Sequence, residues 1–278
     1  MENYNNLNQN FNNRLNDWIN KIKETNNKTV IYSLSDINYK SRFEEMIKTF
    51  NTSKACFAMC ALDKETNTFF LSKNIPTVLL DKEEDNFNHL VCISKFLLTK
   101  VLLNNGFNVI MSEADIFWKI DVTDLFNDDD KELIVSQHTY SPEVNIGFYR
   151  VISNINTINF FYNLMDWIYD PKFNYTEDIY KNIYLKKKPH LAVDQKIFDY
   201  ALRNVRDRLE SIGHFFSNDS LNKLSSVKID WGYLDTNILM HWPIHYPNNY
   251  KGVHIWSGYN KNPYMQIQYA HSNGWFLK

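Results

Sequence analysis

Apolar residues along the chain form two kinds of pattern, short continuous runs and longer stretches with helical spacing. Residues 1–27 are mostly polar, yet five apolar positions among them share one face of a helix. These positions are Phe11, Leu15, Trp18, Ile19 and Ile22. The spacing predicts an amphipathic amino-terminal helix that packs on the body of the protein.

From residue 28 onward, apolar runs and helical patterns take turns. Strands are predicted at residues 29–34, 54–63, 75–80, 107–111, 132–137 and 144–151. Helices are predicted at residues 42–50, 88–103, 153–170 and 192–205. Asn-Asn-Gly stops the second of these helices, and Gly106 suits a left-handed cap there. The stretch from Trp231 onward is rich in aromatic residues, Pro and His, and predicts an irregular segment that wraps the body.

The order of these elements predicts an α/β fold. Apolar strands that alternate with helices favour a parallel sheet that is buried on both faces. No long linker and no internal repeat interrupts residues 28–278, so we expect a single domain there. Ligands of such sheets collect just beyond the carboxyl ends of the strands. The segments that begin at Ser35 and Ser112 lie at such ends.

Composition and charge narrow the classes of function. Hydrophobic residues make up 44% of the 278 residues, and the formal net charge of −2 argues against a nucleic acid or an anionic membrane as partner. No run of apolar residues is long enough to span a membrane, and the start of the chain lacks the apolar core of a signal peptide. Three cysteines are too few for a disulfide framework. Cys56 and Cys60 lie in an apolar run typical of a core strand, so we expect them to be core residues and not zinc ligands. Because no disulfide framework is predicted, we expect the protein in a reducing cytoplasm.

Two carboxylates follow the apolar run that ends at Met111. Glu113 and Asp115 are two residues apart in "SEADIFW", where the predicted strand ends. In a loop, both can turn toward one Mg²⁺ or Mn²⁺ ion, because hard cations prefer oxygen ligands and keep positions open for phosphates. The alternative is an acidic loop or a helix cap. The position at the ligand edge of the sheet favours the metal.

Other candidate groups lie later in the chain. His254 is followed by Gly258 and Lys261, a small residue and a cation of the kinds that contact phosphates, so His254 could complete a metal–diphosphate site. Asn145 begins a strand, and Asp194 with Gln195 begins a helix; a turn residue and a helix cap are the alternatives. Pro243 between His241 and His245 argues against a helical zinc pair there.

Four motifs in order resemble nucleotide-diphospho-sugar transferases of glycosyltransferase family 77, which have a GT-A fold. They are similar also to glycogenin and to the bacterial lipooligosaccharide galactosyltransferases. The motifs are "SKFLLTKVLLNNGFNVIMSEADIFW" (94–118), "VNIGFYR" (144–150), "DQKIFDYAL" (194–202) and "VHIWSGYNKNPY" (253–264). The resemblance covers nearly all of residues 30–277. It implies a mixed, mostly parallel Rossmann-like sheet that is flanked by helices.

The resemblance also implies a role for each matched position. The implied ligands of Mn²⁺, or of Mg²⁺, are Glu113, Asp115 and His254. The implied donor-binding residues are Ser35, Asp36, Tyr39, Lys95, Glu113, Ala114, Gly258 and Lys261. The implied catalytic residues are Asn145, Asp194 and Gln195. Asp194 and Gln195 would lie by the anomeric carbon, with Gln195 on the face opposite the leaving group.

The function implied is a metal-dependent, retaining transfer of a sugar from a UDP-sugar to a hydroxyl of a glycan or glycoprotein. The donor sugar would be a hexose or a pentose, such as galactose, glucose or xylose, and the diphosphate itself would assist the incoming hydroxyl. The alternative is a UDP-sugar or glycan binder with little or no activity on the same fold. A nucleotidyltransferase would need a Gly-rich phosphate loop after the first strand, and "SLSDINY" has no glycine.

This sequence departs from the family pattern at four places. Glu113 stands where the family has its first Asp, and Asp199 where it has an Asn. Arg150 comes one residue early, and Asn262 delays the proline that follows Lys261. These departures predict a change of donor sugar, a looser metal site or a loss of activity.

Overall fold

The computed structural model of the protein describes residues 9–48, 53–81, 91–126, 130–138, 141–170, 193–211, 216–241 and 250–254. The helices in these ranges are α1 (Gln9–Glu24), α2 (Lys40–Ile47), α3 (Lys64–Ser72), α4 (Val91–Asn104), α5 (Ile155–Tyr169), α6 (Val193–Arg203), α7 (Arg206–Glu210) and α8 (Asn218–Leu224). The strands are β1 (Thr29–Ser35), β2 (Cys56–Ala61), β3 (Thr77–Leu79), β4 (Asn108–Ser112), β5 (Ile116–Trp118), β6 (Leu133–Gln137), β7 (Val144–Val151), β8 (Trp231–Tyr233), β9 (Leu239–His241) and β10 (Gly252–His254).

A seven-stranded sheet forms the centre of the fold. Its strands follow the order β3-β2-β1-β4-β7-β6-β8. All neighbours in it run parallel except for β7, which is antiparallel to both β4 and β6. The predicted α/β class with a mixed, mostly parallel sheet is therefore confirmed.

The central sheet is buried on both faces. Successive side chains of a strand point to opposite faces. In β1, Val30 and Tyr32 accordingly join a core cluster with α1, α4 and α5, whereas Ile31 joins a second cluster with α2 and α3. The prediction of a two-sided buried sheet from its apolar strands is thereby confirmed.

The amino-terminal helix packs against the edge of the central sheet. All five of the apolar positions predicted for its buried face are buried. The indole Nε1 of Trp18 donates a hydrogen bond to the carbonyl oxygen of Pro76 at 3.2 Å, just before β3. Arg14 Nε donates to the carbonyl oxygen of Leu79 at 3.0 Å, within β3. The helix is thus held by packing and by two polar contacts.

The end of α4 confirms the cap that the sequence predicts. Gly106 has a φ of +81°, and Phe107 N–H donates back to the carbonyl oxygen of Leu102 at 3.1 Å. A left-handed glycine with this return hydrogen bond is a common helix terminus. The cap turns the chain directly into β4, so the strand reaches the ligand edge in the correct register.

Several elements differ from the sequence-based predictions. Helix α3, which Asp63 caps through the N–H of Thr66, was not predicted, and neither was β5. The prediction that the segment after Trp231 is irregular is wrong for β8, β9 and β10, each of three residues. Strands this short carry too few residues to show alternation. In the described ranges, no helix combines the length and the apolar character that crossing a membrane requires.

Candidate functional site

The two carboxylates predicted as metal ligands lie in a tight turn between β4 and β5. Glu113 N–H donates to the carbonyl oxygen of Gly147 on β7 at 2.8 Å, and Ile116 N–H donates to the carbonyl oxygen of Glu113 at 3.1 Å. The first bond ties the turn to β7, and the second closes the turn itself. The two carboxylates are therefore held at the carboxyl edge of the sheet.

A second, three-stranded sheet brings His254 to this turn. Its order is β5-β10-β9, and β10 runs antiparallel to β5 with His254 opposite Ile116. Gly252 permits the approach, since a Cβ at that position would lie 2.6 Å from the ring of Trp118. The pairing of β5 with β10 thus brings His254 close to Asp115, although the two residues are far apart in the sequence.

Glu113, Asp115 and His254 form a compact group. His254 Nε2 lies 3.2 Å from Asp115 Oδ1 and 3.7 Å from Glu113 Oε2. One potential ligand atom from each residue lies within 4.8 Å of the others. Asp115 Oδ1 is buried, and His254 is its ion-pair partner in the described chain. A buried carboxylate is costly unless it is paired, and a bound cation would stabilise it further.

Gly147 keeps the space between these side chains open. A Cβ at this position would lie 2.4 Å from His254 Cε1, 2.9 Å from Glu113 Oε2 and 3.0 Å from Asn145 Oδ1. Gly147 belongs to β7, whose antiparallel direction brings its first residues to the carboxyl edge of β4. The site therefore needs a residue without a side chain at this position.

The electrostatics of the group follow from its burial and its opposite charges. Burial opposes ionisation of Asp115, but His254 and Arg42 outweigh it and lower the pKa of the carboxyl below its usual value. Burial likewise opposes protonation of His254, but Asp115 and Glu113 raise the pKa of its imidazole. Asp115 thus stays ionised, and the protonated form of His254 is favoured beside it. A cation bound to the two carboxylates would take the place of the His254 proton, because a histidine ligand must be neutral.

Lys95 on α4 contacts one predicted metal and donor-binding residue, Glu113, and one predicted catalytic residue, Asp194. Its Nζ lies 2.8 Å from Glu113 Oε1 and 2.9 Å from Asp194 Oδ2. Only 6% of its side chain is exposed. Burial alone would lower the pKa of Lys95, but Asp194 and Glu113 raise it above its usual value. Lys95 is therefore a fixed, buried cation next to the candidate metal ligands.

A buried hydroxyl network holds the backbone of α4 at Lys95. Tyr32 Oη donates to the carbonyl oxygen of Lys95 at 2.5 Å and lies 2.9 Å from Thr99 Oγ1. Tyr149 Oη lies 2.7 Å from Thr99 Oγ1 and 3.2 Å from Tyr32 Oη. Residues from β1, β7 and α4 thus fix the start of the lysine side chain.

The remaining predicted catalytic residues lie along β7 and α6. Asn145 Oδ1 accepts the N–H of Gly147 at 2.8 Å. This bond holds the Asn145 amide near the candidate metal ligands Glu113 and His254. Gln195 Nε2 lies 3.2 Å from His138 Nε2 just beyond β6. Burial, with the nearby cations His254 and Arg208, lowers the pKa of His138. A neutral His138 can therefore exchange a hydrogen bond with Gln195.

Two departures from the family pattern have structural explanations. Asp199 Oδ1 accepts the N–H of Val144 at 3.1 Å and pairs with Arg203 Nη1 at 3.1 Å, so its charge is balanced. Arg150 Nη1 donates to the carbonyl oxygen of Lys131 at 2.7 Å and braces the loop before β6. Asp199 thus holds the start of β7, and Arg150, near the end of this strand, holds the start of β6.

Three predicted donor-binding residues, Ser35, Asp36 and Tyr39, lie at and just after the end of β1. The family resemblance implies that this segment holds the nucleoside, and we call it the nucleoside loop. Ser35 Oγ donates to the carbonyl oxygen of Asp36 at 2.7 Å, and Asp36 caps a short helical turn by accepting the N–H of Asn38. Asp63, at the end of β2, accepts the N–H of Ile37 at 2.8 Å and ties the two strand ends together. The Tyr39 ring lies beneath the guanidinium of Arg42.

The structure thus brings most of the predicted site residues to one edge of the sheet. Ala114 is half-buried in the turn between the two carboxylates. Gly258 and Lys261 lie outside the described residues. Gly147, His138 and Arg42 also contact the site but were not predicted from the sequence. Only Gly147 had a signal, as the glycine of the "NIG" motif.

The fold and the site together define the class of protein. It is an α/β protein with a candidate cation site, formed by two carboxylates and a histidine next to a lysine, at the carboxyl edge of its sheet. A family model narrows this class. The model described as nucleotide-diphospho-sugar transferase matches residues 56–270. The chain belongs to this family.

Solved glycosyltransferase structures show distant similarity. The glycosyltransferase GlyE of Streptococcus pneumoniae TIGR4 is 14% identical with a TM-score of 0.44, over 91% of this chain and 65% of its own. The bifunctional WbbM is 11% identical with a TM-score of 0.45, over 81% of this chain and 45% of its own. Mouse xyloside xylosyltransferase 1 is 10% identical with a TM-score of 0.42, over 85% of this chain and 99% of its own. No curated protein matches the sequence.

Proposed function

We propose that the protein is a metal-dependent, retaining glycosyltransferase that moves a sugar from a UDP-sugar to a hydroxyl of a glycan or glycoprotein. Membership of the nucleotide-diphospho-sugar transferase family supports the use of a nucleotide sugar. The observation that carries the metal dependence is the group of Glu113, Asp115 and His254, with ligand atoms within 4.8 Å. The donor sugar is a hexose or a pentose.

The residues of the group fit a divalent cation of the Mn²⁺ or Mg²⁺ type. Two carboxylates and one imidazole form an oxygen-rich donor set, and Asp115 Oδ1 is buried 3.2 Å from His254 Nε2. When bound, the ion would neutralise charge that develops on the diphosphate leaving group. Glu113, Asp115 and His254 would hold it.

The neighbouring residues would position the donor and the acceptor. Lys95, fixed by Glu113 and Asp194, places a positive charge beside the donor sugar. Gln195, held by His138, would face the anomeric carbon opposite the leaving group, and Asn145 would orient a sugar hydroxyl. Ser35, Asp36, Tyr39 and Ala114, with Gly258 and Lys261, complete the proposed donor site.

The proposed location is the cytoplasm. Two free and buried cysteines, Cys56 and Cys60, support this proposal, because free thiols are typical of reducing compartments. Burial raises the pKa of the Cys60 thiol, so it behaves as an inert core residue.

Calorimetric titration of UDP in the presence of Mn²⁺ tests the proposal. We expect the wild type to bind UDP and Asp115→Ala to bind it at least about 100-fold more weakly, because the variant loses a direct ligand. Asp124→Ala is the matched control, since Asp124 is an exposed partner of Lys54. The proposal fails if the wild type binds no UDP with Mn²⁺, or if both variants bind equally well.

A binder without catalytic activity is the second candidate. The ion pair between Lys95 and Glu113 favours it, since one oxygen of the substituted carboxylate already has a cation. UDP binding without turnover across a panel of UDP-sugars and acceptors would support this candidate. Release of free sugar or formation of a glycoside, detected by mass spectrometry, would eliminate it.

A further inference from the structure

A buried arginine lies behind the nucleoside loop. Arg42 belongs to α2, the helix that follows the loop, and only 1% of the residue is exposed. Its Nε and Nη2 atoms are both buried and have no hydrogen-bond partner among the described residues. Buried arginines are normally paired, so two unsatisfied donors on one guanidinium need an explanation.

The surroundings of Arg42 place it between two parts of the proposed donor site. Its Cζ lies 4.5 Å from the centroid of the Tyr39 ring, in the nucleoside loop. It also attracts the carboxylate of Asp115. The two groups are close enough to interact through charge, yet no ion pair joins them among the contacts of the described chain. The guanidinium therefore lies between the proposed nucleoside and metal positions.

The unsatisfied atoms share one edge of the guanidinium. Nε–H and one N–H of Nη2 point in parallel, and this edge matches two oxygens of a phosphate or a carboxylate. Arginine stays protonated even when burial lowers its pKa, so the edge carries a full positive charge. An anion with two oxygens is the chemistry that would satisfy it.

We propose that Arg42 binds a phosphate of the donor diphosphate through its Nε and Nη2 atoms. This inference rests on the proposed function, because it needs a nucleotide diphosphate in the site. Under the proposed function, a phosphate that follows the nucleoside lies between Tyr39 and the metal ligands. Arg42 contacts Tyr39 and interacts with Asp115, so it lies next to this position. Arg42 is thus a donor-binding residue beyond those that the motifs indicate.

Two variants separate the charge of Arg42 from its shape. Arg42→Met keeps an unbranched chain in the core but removes the charge and the donors, and Arg42→Lys keeps the charge without the paired edge. Arg14→Met is the control, because Arg14 lies on α1, on the other face of the sheet from α2, and donates to the carbonyl oxygen of Leu79. Thermal unfolding of each variant verifies that it is folded.

Calorimetry with UDP and with uridine, each with Mn²⁺, tests the proposal. We expect Arg42→Met to weaken UDP binding about 10- to 100-fold and Arg42→Lys to weaken it less, because charged hydrogen bonds are lost. Binding of uridine should change less than about 3-fold, since uridine has no phosphate. The Arg14→Met control should match the wild type for both ligands.

Other outcomes would overturn the assignment. Equal losses for UDP and uridine would mean that Arg42 acts only through Tyr39. An equal loss of Mn²⁺ affinity in the absence of nucleotide would mean that it acts only through Asp115. If UDP binding is unchanged and only UDP-glucuronic acid binds more weakly, the edge holds a sugar carboxylate instead. If the wild type binds no UDP, the proposed function itself fails; if it binds UDP and Arg42→Met binds equally well, only the role of Arg42 fails.

Discussion

At the scale of the residue, Glu113 stands where the resemblance has an aspartate, and its two oxygens face different partners. The longer side chain places Oε1 2.8 Å from Lys95 Nζ, while Oε2 stays 3.7 Å from His254 Nε2. One carboxylate thus bridges the lysine and the candidate metal ligands. The extra methylene group supplies reach, and the substitution is compatible with an intact site.

We expect Gly147→Ala to damage the candidate metal site. The new methyl group would overlap His254 Cε1 at 2.4 Å and crowd Glu113 Oε2 at 2.9 Å, so at least one ligand must move. The variant should lose about 1–3 kcal/mol of unfolding free energy. It should also bind UDP with Mn²⁺ about tenfold or more weakly, as measured by denaturant titration and calorimetry.

Gly232→Ala is the matched control, since Gly232 also lies in a strand but, among the described residues, a Cβ there would meet only Lys131 Cγ, at 3.7 Å. This variant should match the wild type in UDP binding. Equal effects of the two substitutions would show that strand glycines matter only for backbone stability.

The sequence identifies the three candidate metal ligands but not the residues that surround them. Glu113, Asp115 and His254 belong to motifs with a specific spacing, so the resemblance could propose them, and the structure brings them together. Arg42 and His138 lie outside these motifs. Their contacts depend on how α2 and the end of β6 pack, and that packing leaves no local pattern in the sequence.

At the scale of the element, the amino-terminal helix contributes much of the support for one sheet edge. We expect Trp18→Ala to lower the free energy of unfolding by about 3–5 kcal/mol, because it leaves a large cavity between α1 and β3. The variant also loses the hydrogen bond to the carbonyl oxygen of Pro76. Denaturant titration followed by circular dichroism measures the loss.

Ile155→Ala provides the comparison for this prediction. Ile155 is 67% exposed in the first turn of α5, so its truncation should change stability by less than about 0.5 kcal/mol. If Trp18→Ala is as mild as this control, α1 does not form part of the cooperative unit.

Long periodic elements are predictable, and very short ones are not. The boundaries of β7, Val144–Val151, coincide with the prediction because eight residues of apolar pattern specify it. Its antiparallel direction did not follow from the pattern, since a buried strand looks the same in either direction. The three-residue strands β5 and β10 form through pairing with each other, which is a tertiary effect.

At the scale of the whole molecule, the candidate site joins the central sheet to the small sheet. We expect UDP with Mn²⁺ at about 100 times the dissociation constant to raise the free energy of unfolding by about 2.7 kcal/mol, because only the folded chain holds all the ligands. Denaturant titration with and without the ligands measures the gain. Asp115→Ala should show almost none of it, and an equal gain in that variant would place UDP elsewhere.

The family match spans residues 56–270, and α1 packs on the same sheet in the structure. The assignment of residues 28–278 to a single domain stays a prediction. The donor sugar and the acceptor could not be predicted, because single hydroxyl contacts in a pocket decide them.

The distance along the chain between Asp115 and His254 has a consequence for biosynthesis. A nascent chain on the ribosome exposes β4 and the turn with both carboxylates well before β10 is translated. Domains fold as units, and translation adds only about 5–20 residues each second. Under the proposed function, the growing polypeptide would have two ligands and no third, so it would hold a metal ion only weakly. The enzyme would then acquire its ion, and with it the ability to bind UDP, only after β10 has been translated.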